Sequence, residues 1–159
     1  MNWKQAFLEQ SENDFSIFCE FYKLKKPRCQ QLHYLQMTTE KLAKAHLCSK
    51  NNIPPKTTHI GFSKFLQQIK GQPDFQRKLG YKNKNSAYDA YIDSLVPLAQ
   101  SIEQLAPEGK QLNKPNPEYP WKSGIQVLAP LHYEFKNIYD QESQLNKLID
   151  LIRQLLTVV

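Results

Sequence analysis

Acidic residues are nearly missing from the middle of this chain. Between positions 23 and 84 only Glu40 and Asp74 carry negative charge, against fourteen lysines and arginines, so that segment holds a formal charge of +12 while the whole chain holds +6. Such a field favours phosphate-rich partners or an acidic protein surface, and its plainest reading is a lysine-rich solvated face. Cysteine is also scarce: Cys19, Cys29 and Cys48 are an odd number without a C-x-x-C pair, which argues against a disulfide framework or a zinc site and for reduced thiols. No apolar run approaches the length of a membrane span, and the N-terminal stretch has no signal-type apolar core, so a cytoplasmic chain without membrane contact is expected. The five glycines form no phosphate-cradling loop. There is no H-E-x-x-H, no G-x-S-x-G and no Glu-x-x-His repeat, so no metal or other cofactor is expected.

What is present is helical periodicity. The 159 residues, 40% of them apolar, suit one domain spanning 1–159. Leu8, Ser11, Phe15, Phe18 and Tyr22 recur at three- and four-residue steps in a first helix that Pro27 should close. A second helix over about 29–49 carries Leu32, Leu35, Thr39, Leu42, Ala43, His46 and Leu47 on one stripe, with Glu40 and Lys44 placed for an i,i+4 ion pair. A short third helix should bury Phe62, Phe65, Leu66 and Ile69 and take its cap from Thr57 or Thr58. "GQPDFQRKLGYKNKN" reads as a connection. A long helix from near Ser86 follows, with Tyr88, Tyr91, Ile92, Leu95, Leu98, Ile102 and Leu105 inward and a kink or break at Pro97. Prolines make about 107–121 a long loop packed by Tyr119 and Trp121, about 125–135 looks extended, and a last helix covers about 141–157. The expected fold is all-α, an up-and-down bundle of four to five helices.

Two sets of residues invite chemistry. Arg28 and His33 are separated by four residues, a spacing open to a metal-independent ribonuclease, though short pairs of this kind arise often by accident. His33 reads equally as a helix residue near the first turn, and His46 as a packing residue. Further on, Arg77, Lys78, Lys82 and Lys84 surround Tyr81, so that cations could neutralise phosphates while the ring stacks on a base. The plainer reading there is a solubilising loop.

"HYLQMTTEKLAKAHL" resembles the second-helix signature of the HEPN domain family at Gln36, Glu40, Lys41, Lys44, Ala45 and Leu47, and "NPEYPW" ahead of a final amphipathic helix resembles that family's late segment. The resemblance covers about residues 3–157. It implies a helical bundle that commonly forms a homodimer, in toxin, defence and nucleotidyltransferase-partner systems. Catalytic members of the family cleave RNA without metal, a histidine acting as base on the ribose 2′-hydroxyl and an arginine stabilising charge at the phosphate. The family places that pair late in the domain, whereas Arg28 and His33 stand at the start of the Glu-Lys helix. Arg77 has no histidine within seven residues after it, and no arginine precedes His132 at the required spacing. The expectation is therefore a non-catalytic, HEPN-like binding or adaptor module. It would present a basic surface to RNA, a nucleotide or an acidic protein such as a nucleotidyltransferase. Cleavage by Arg28 and His33 is the alternative, and a purely structural protein a third.

Overall fold

The computed structural model describes residues 1–48, 53, 61–81, 86–106 and 113–159. Its first helix, α1 (Trp3–Lys23), begins at Asn2, whose side chain accepts from the Gln5 N–H at 2.8 Å. It ends four residues short of Pro27. Lys25 takes a left-handed conformation (φ 50°), and the Lys26 N–H returns to the Phe21 carbonyl. Pro27 is then the N-cap of α2 (Arg28–Leu47). The tight turn folds α2 back antiparallel on α1, as three cross-contacts show. The Ser11 hydroxyl donates to the Thr38 carbonyl at 2.8 Å, Lys41 pairs with Asp14, and Phe21 meets Tyr34 edge-on. The expected Lys44–Glu40 pair forms at 2.5 Å.

Next come α3 (Phe62–Ile69) and α4 (Pro73–Lys78), then α5 (Ser86–Glu103). Phe62, Phe65, Leu66 and Ile69 are all fully buried, each contributing about 1.5–3 kcal/mol of apolar transfer. Thr57 and Thr58 lie outside the described residues, and Gly61 is the N-cap residue of α3, without a side chain to cap with. The capping is done from a distance by Glu103. α4 is a correction to the connection read there: Pro73 occupies its first turn, where a missing N–H costs nothing. α5 runs through Pro97 without the break that was one of the two outcomes expected there. Pro97 and Asp93 are exposed there, so water can serve the carbonyl that the ring deprives of a partner.

A small antiparallel sheet follows, β1 (Trp121–Ser123) and β2 (Gln126–Leu128), with Trp121 opposite Leu128. Gly124 has φ 62° in the two-residue link, where a side chain would be strained. The stretch expected to be extended is therefore a strand only over β2. Pro130–His132 is a 3-10 turn, and α6 (Lys136–Tyr139) precedes α7 (Glu142–Val158). Leu145, Leu148, Ile149, Ile152 and Leu155 of α7 are buried on the expected stripe. One apolar cluster draws on α1, α2, α3, α5 and α7, with Trp121 and Phe135 added from the late segment. The fold is an all-α bundle: five longer helices as expected, plus the short α4 and α6, among the described residues. No helix among them is long and apolar enough to cross a membrane.

Candidate nucleic-acid interface

Arg28 occupies the first turn of α2, where its charge opposes the helix dipole. Its guanidinium finds compensation in the late segment. Nη1 donates to both Oε2 and the carbonyl of Glu134, at 2.7 and 2.6 Å, and the group lies 4.6 Å from the centre of the Tyr139 ring. Tyr139 in turn donates to Gln31 Oε1 at 2.9 Å. Burial raises the Tyr139 phenol far above its ordinary value despite the nearby Arg28 charge.

His33 stands five residues on, about 140° around the helix axis from Arg28. Its Nδ1 is buried and makes no hydrogen bond, yet it lies 3.2 Å from Glu118 Oε1, within ion-pair reach when the ring is protonated. The ring packs edge-on against Tyr34, 5.1 Å between centres. The two side chains of the Arg28/His33 pair thus face different carboxylates, Glu134 and Glu118, and do not share partners.

The Arg77–Lys84 group is dispersed as well. Arg77 and Lys78 lie on α4. Arg77 pairs with Asp74, and Lys78 Nζ donates to the Val158 carbonyl at 2.9 Å. Tyr81 packs against Tyr88 and Tyr91, at 5.1 and 6.3 Å, so its faces are partly taken by the core. Lys82 and Lys84 lie outside the described residues.

Tertiary pairing spends much of the central positive charge. Of its fourteen cations ten are described. Arg28, Lys41, Lys44, Lys70 and Arg77 are ion-paired, three of them to acids from outside the segment: Glu134, Asp14 and Asp93. Among the described residues the other five, Lys23, Lys25, Lys26, Lys64 and Lys78, are exposed and have no ion-pair partner, Lys78 reaching only the Val158 carbonyl. Lys23 ends α1, and Lys25 and Lys26 lie in the turn that follows it.

That turn joins two residues of one cleft. Phe21, Gln30, His33, Tyr34, Glu118 and Tyr119 line an open space of ≈ 470 Å³. Tyr119 is 56% exposed, and the Asn116 side chain holds the loop beneath it by accepting from the Glu118 and Tyr119 N–H groups at 3.0 and 2.6 Å. Aromatic faces and unpaired lysines are the kinds of group that bind single-stranded nucleic acid. The run "KLKKPR" was the available signal for this turn. It is inconspicuous in sequence because it falls at a helix end, where basic residues are favoured anyway.

The cysteines offer no activated nucleophile, since burial raises all three thiols above their ordinary value. Among the described residues no group of three or more His, Cys, Asp or Glu side chains is placed to hold a metal ion. No protein-family model, curated protein or solved structure matches this chain.

Proposed function

We propose that the chain is a non-catalytic, HEPN-like binding module that presents a basic surface to single-stranded RNA. The observation that carries this reading is the run of Lys23, Lys25 and Lys26, exposed and without ion-pair partners among the described residues, which follows in sequence on Phe21, a residue that lines the aromatic cleft with Tyr34 and Tyr119. Lysines on the turn neutralise backbone phosphates while Tyr119 offers a face to a base. The separate engagement of Arg28 and His33 supports binding over cleavage. A homodimer and a nucleotidyltransferase partner belong to the same proposal through the HEPN resemblance alone.

Fluorescence anisotropy with a labelled single-stranded RNA, repeated across salt concentrations, tests it. Lys23→Gln/Lys25→Gln/Lys26→Gln should weaken binding and reduce the slope of log affinity against log salt by about 2, the release expected for three phosphate contacts on a single strand. Affinity unchanged by that triple substitution counts against the turn. A parallel Lys78→Gln/Lys82→Gln/Lys84→Gln variant tells whether the strand follows the other basic stretch. RNA cut by the wild type in chelator, and spared by both Arg28→Ala and His33→Ala, would overturn the non-catalytic reading. Capture of an acidic protein with no RNA affinity would replace RNA as the partner.

A further inference from the structure

A second cavity, of ≈ 680 Å³, opens between the end of α5 and the segment 132–137, and it shares no residue with the RNA cleft. Three groups that can carry positive charge line it: Lys114, His132 and Lys136, all exposed and without ion-pair partners among the described residues. The amides of Gln104 and Asn137 line it too. Among the described residues the one carboxylate in its wall is Glu134, which Arg28 pairs at 2.7 Å, so the described lining is net positive.

The backbone there is unusual. Phe135 sits in the left-handed region at φ 47°, ψ 44°, which costs strain in a residue with a Cβ. Its ring is fully buried, 4.9 Å from that of Tyr133 and 6.4 Å from that of Trp121, so the turn is locked by its own anchor. Strain held in place by packing clusters where side chains must be aimed. Here the strained residue stands between His132 and Lys136, both of which line the cavity.

We propose that this cavity binds a small phosphorylated molecule, a phosphomonoester carried on a sugar. Two lysines match the charge of the dianion, and lysine is a point-charge binder of phosphate. The volume lies within the roughly 300–1,000 Å³ that ligand clefts span, leaving room beyond the phosphate itself. Tyr133 and Pro115 supply an apolar wall for the sugar ring. Arg28 is a positioning residue: it keeps Glu134 from repelling the anion.

Titration with ribose 5-phosphate, followed by amide chemical shifts, tests this, with ribose as control. The phosphorylated sugar should give saturable shifts over 132–137 and ribose should give none. Lys114→Gln/Lys136→Gln should weaken binding about tenfold or more. Arg28→Gln should weaken it as well, and Arg28→Gln/Glu134→Gln should restore it, an outcome that loss of structure could not produce. Absence of shifts at millimolar ribose 5-phosphate would overturn the proposal, as would equal binding of ribose or an unaffected lysine double variant. Loss of RNA binding in the turn variants leaves this site untouched, so the two readings fail separately.

Discussion

Ser63 is bonded twice to Glu103: its hydroxyl donates to Oε2 at 2.7 Å and its backbone N–H to Oε1 at 3.0 Å. The same Oε1 accepts the N–H groups of Gly61, at 2.8 Å, and Phe62. A side chain forty residues away thus does the work a local Ser or Thr cap would do for α3. Glu103 ends α5, where the dipole of that helix disfavours a negative charge, but it meets the positive N-terminus of α3, where charge of that sign is stabilising. Four donors to one buried carboxylate decide the balance, and they tie the two helices together.

Glu103→Ala should therefore be among the costliest single substitutions in the chain. It strips the partner from several buried donors at once, and a loss of about 2–4 kcal/mol in urea unfolding is expected. Glu103→Gln keeps one carbonyl oxygen as acceptor and should cost about half as much. Equal, small losses for both would show that water replaces the carboxylate at little cost.

His46 should make stability fall on the acid side of neutrality. Its ring lies against Phe65 and Phe75, at 4.5 and 5.8 Å. Burial lowers its pKa, with the Lys4 charge adding to the effect, although a position in the last turn of α2 would favour the cation. Because the folded value is depressed, the unfolded chain takes up the proton first. Stability is then full above about pH 6.5 and declines as pH falls below it toward the folded value. His46→Leu should flatten that decline. A wild-type slope carried over intact into the variant would remove His46 from the explanation.

The alkaline limb has its own cause. Burial pushes Tyr88 and Tyr91 up to about 12 and Tyr139 higher still. Tyr88 also donates to the Ile69 carbonyl at 3.1 Å and Tyr91 to the Lys147 carbonyl at 3.0 Å. Raised folded values mean that their contribution is complete below pH 10, where the unfolded phenols begin to ionise, and is lost as pH climbs toward 12. Spectrophotometric titration should show the phenols of Tyr88, Tyr91 and Tyr139 ionising only as the chain unfolds. A single smooth transition near 10, with helicity retained, would contradict the burial of these rings.

Repeating apolar positions made the long helices legible, since a stripe such as Leu145, Leu148, Ile149, Ile152 and Leu155 can be buried in only one way. Elements without a stripe were not. α4 is six residues long and buries only Gln76, so its glycine and proline flanks dominate the reading. The cap of α3 was invisible because Glu103 is remote. The basic segment was overcounted for the same reason: Glu134 and Asp93, which neutralise Arg28 and Lys70, are 106 and 23 residues away. Arg28 and His33 look like a pair only along the chain. On the helix they diverge, and Glu134 and Glu118 take them in different directions.

The pair of Lys41 with Asp14 tests how the α1–α2 hairpin tolerates charge. Their side chains are 17% and 7% exposed, and Asp14 receives one further hydrogen bond, from Gln10 at 3.2 Å. The asymmetry in exposure predicts an asymmetry in cost. When Asp14→Ala removes the acid, Lys41 can carry its ammonium to water along its flexible stem, and about 1–2 kcal/mol should be lost. When Lys41→Met removes the base, the carboxylate stays buried with Gln10 as its partner, and the loss should approach the 3–5 kcal/mol typical of a broken buried pair. The double variant Asp14→Leu/Lys41→Met leaves no charge stranded and should recover most of that loss. Strictly additive costs across the cycle would mean that the two groups are solvated independently and that apolar packing alone holds α1 to α2.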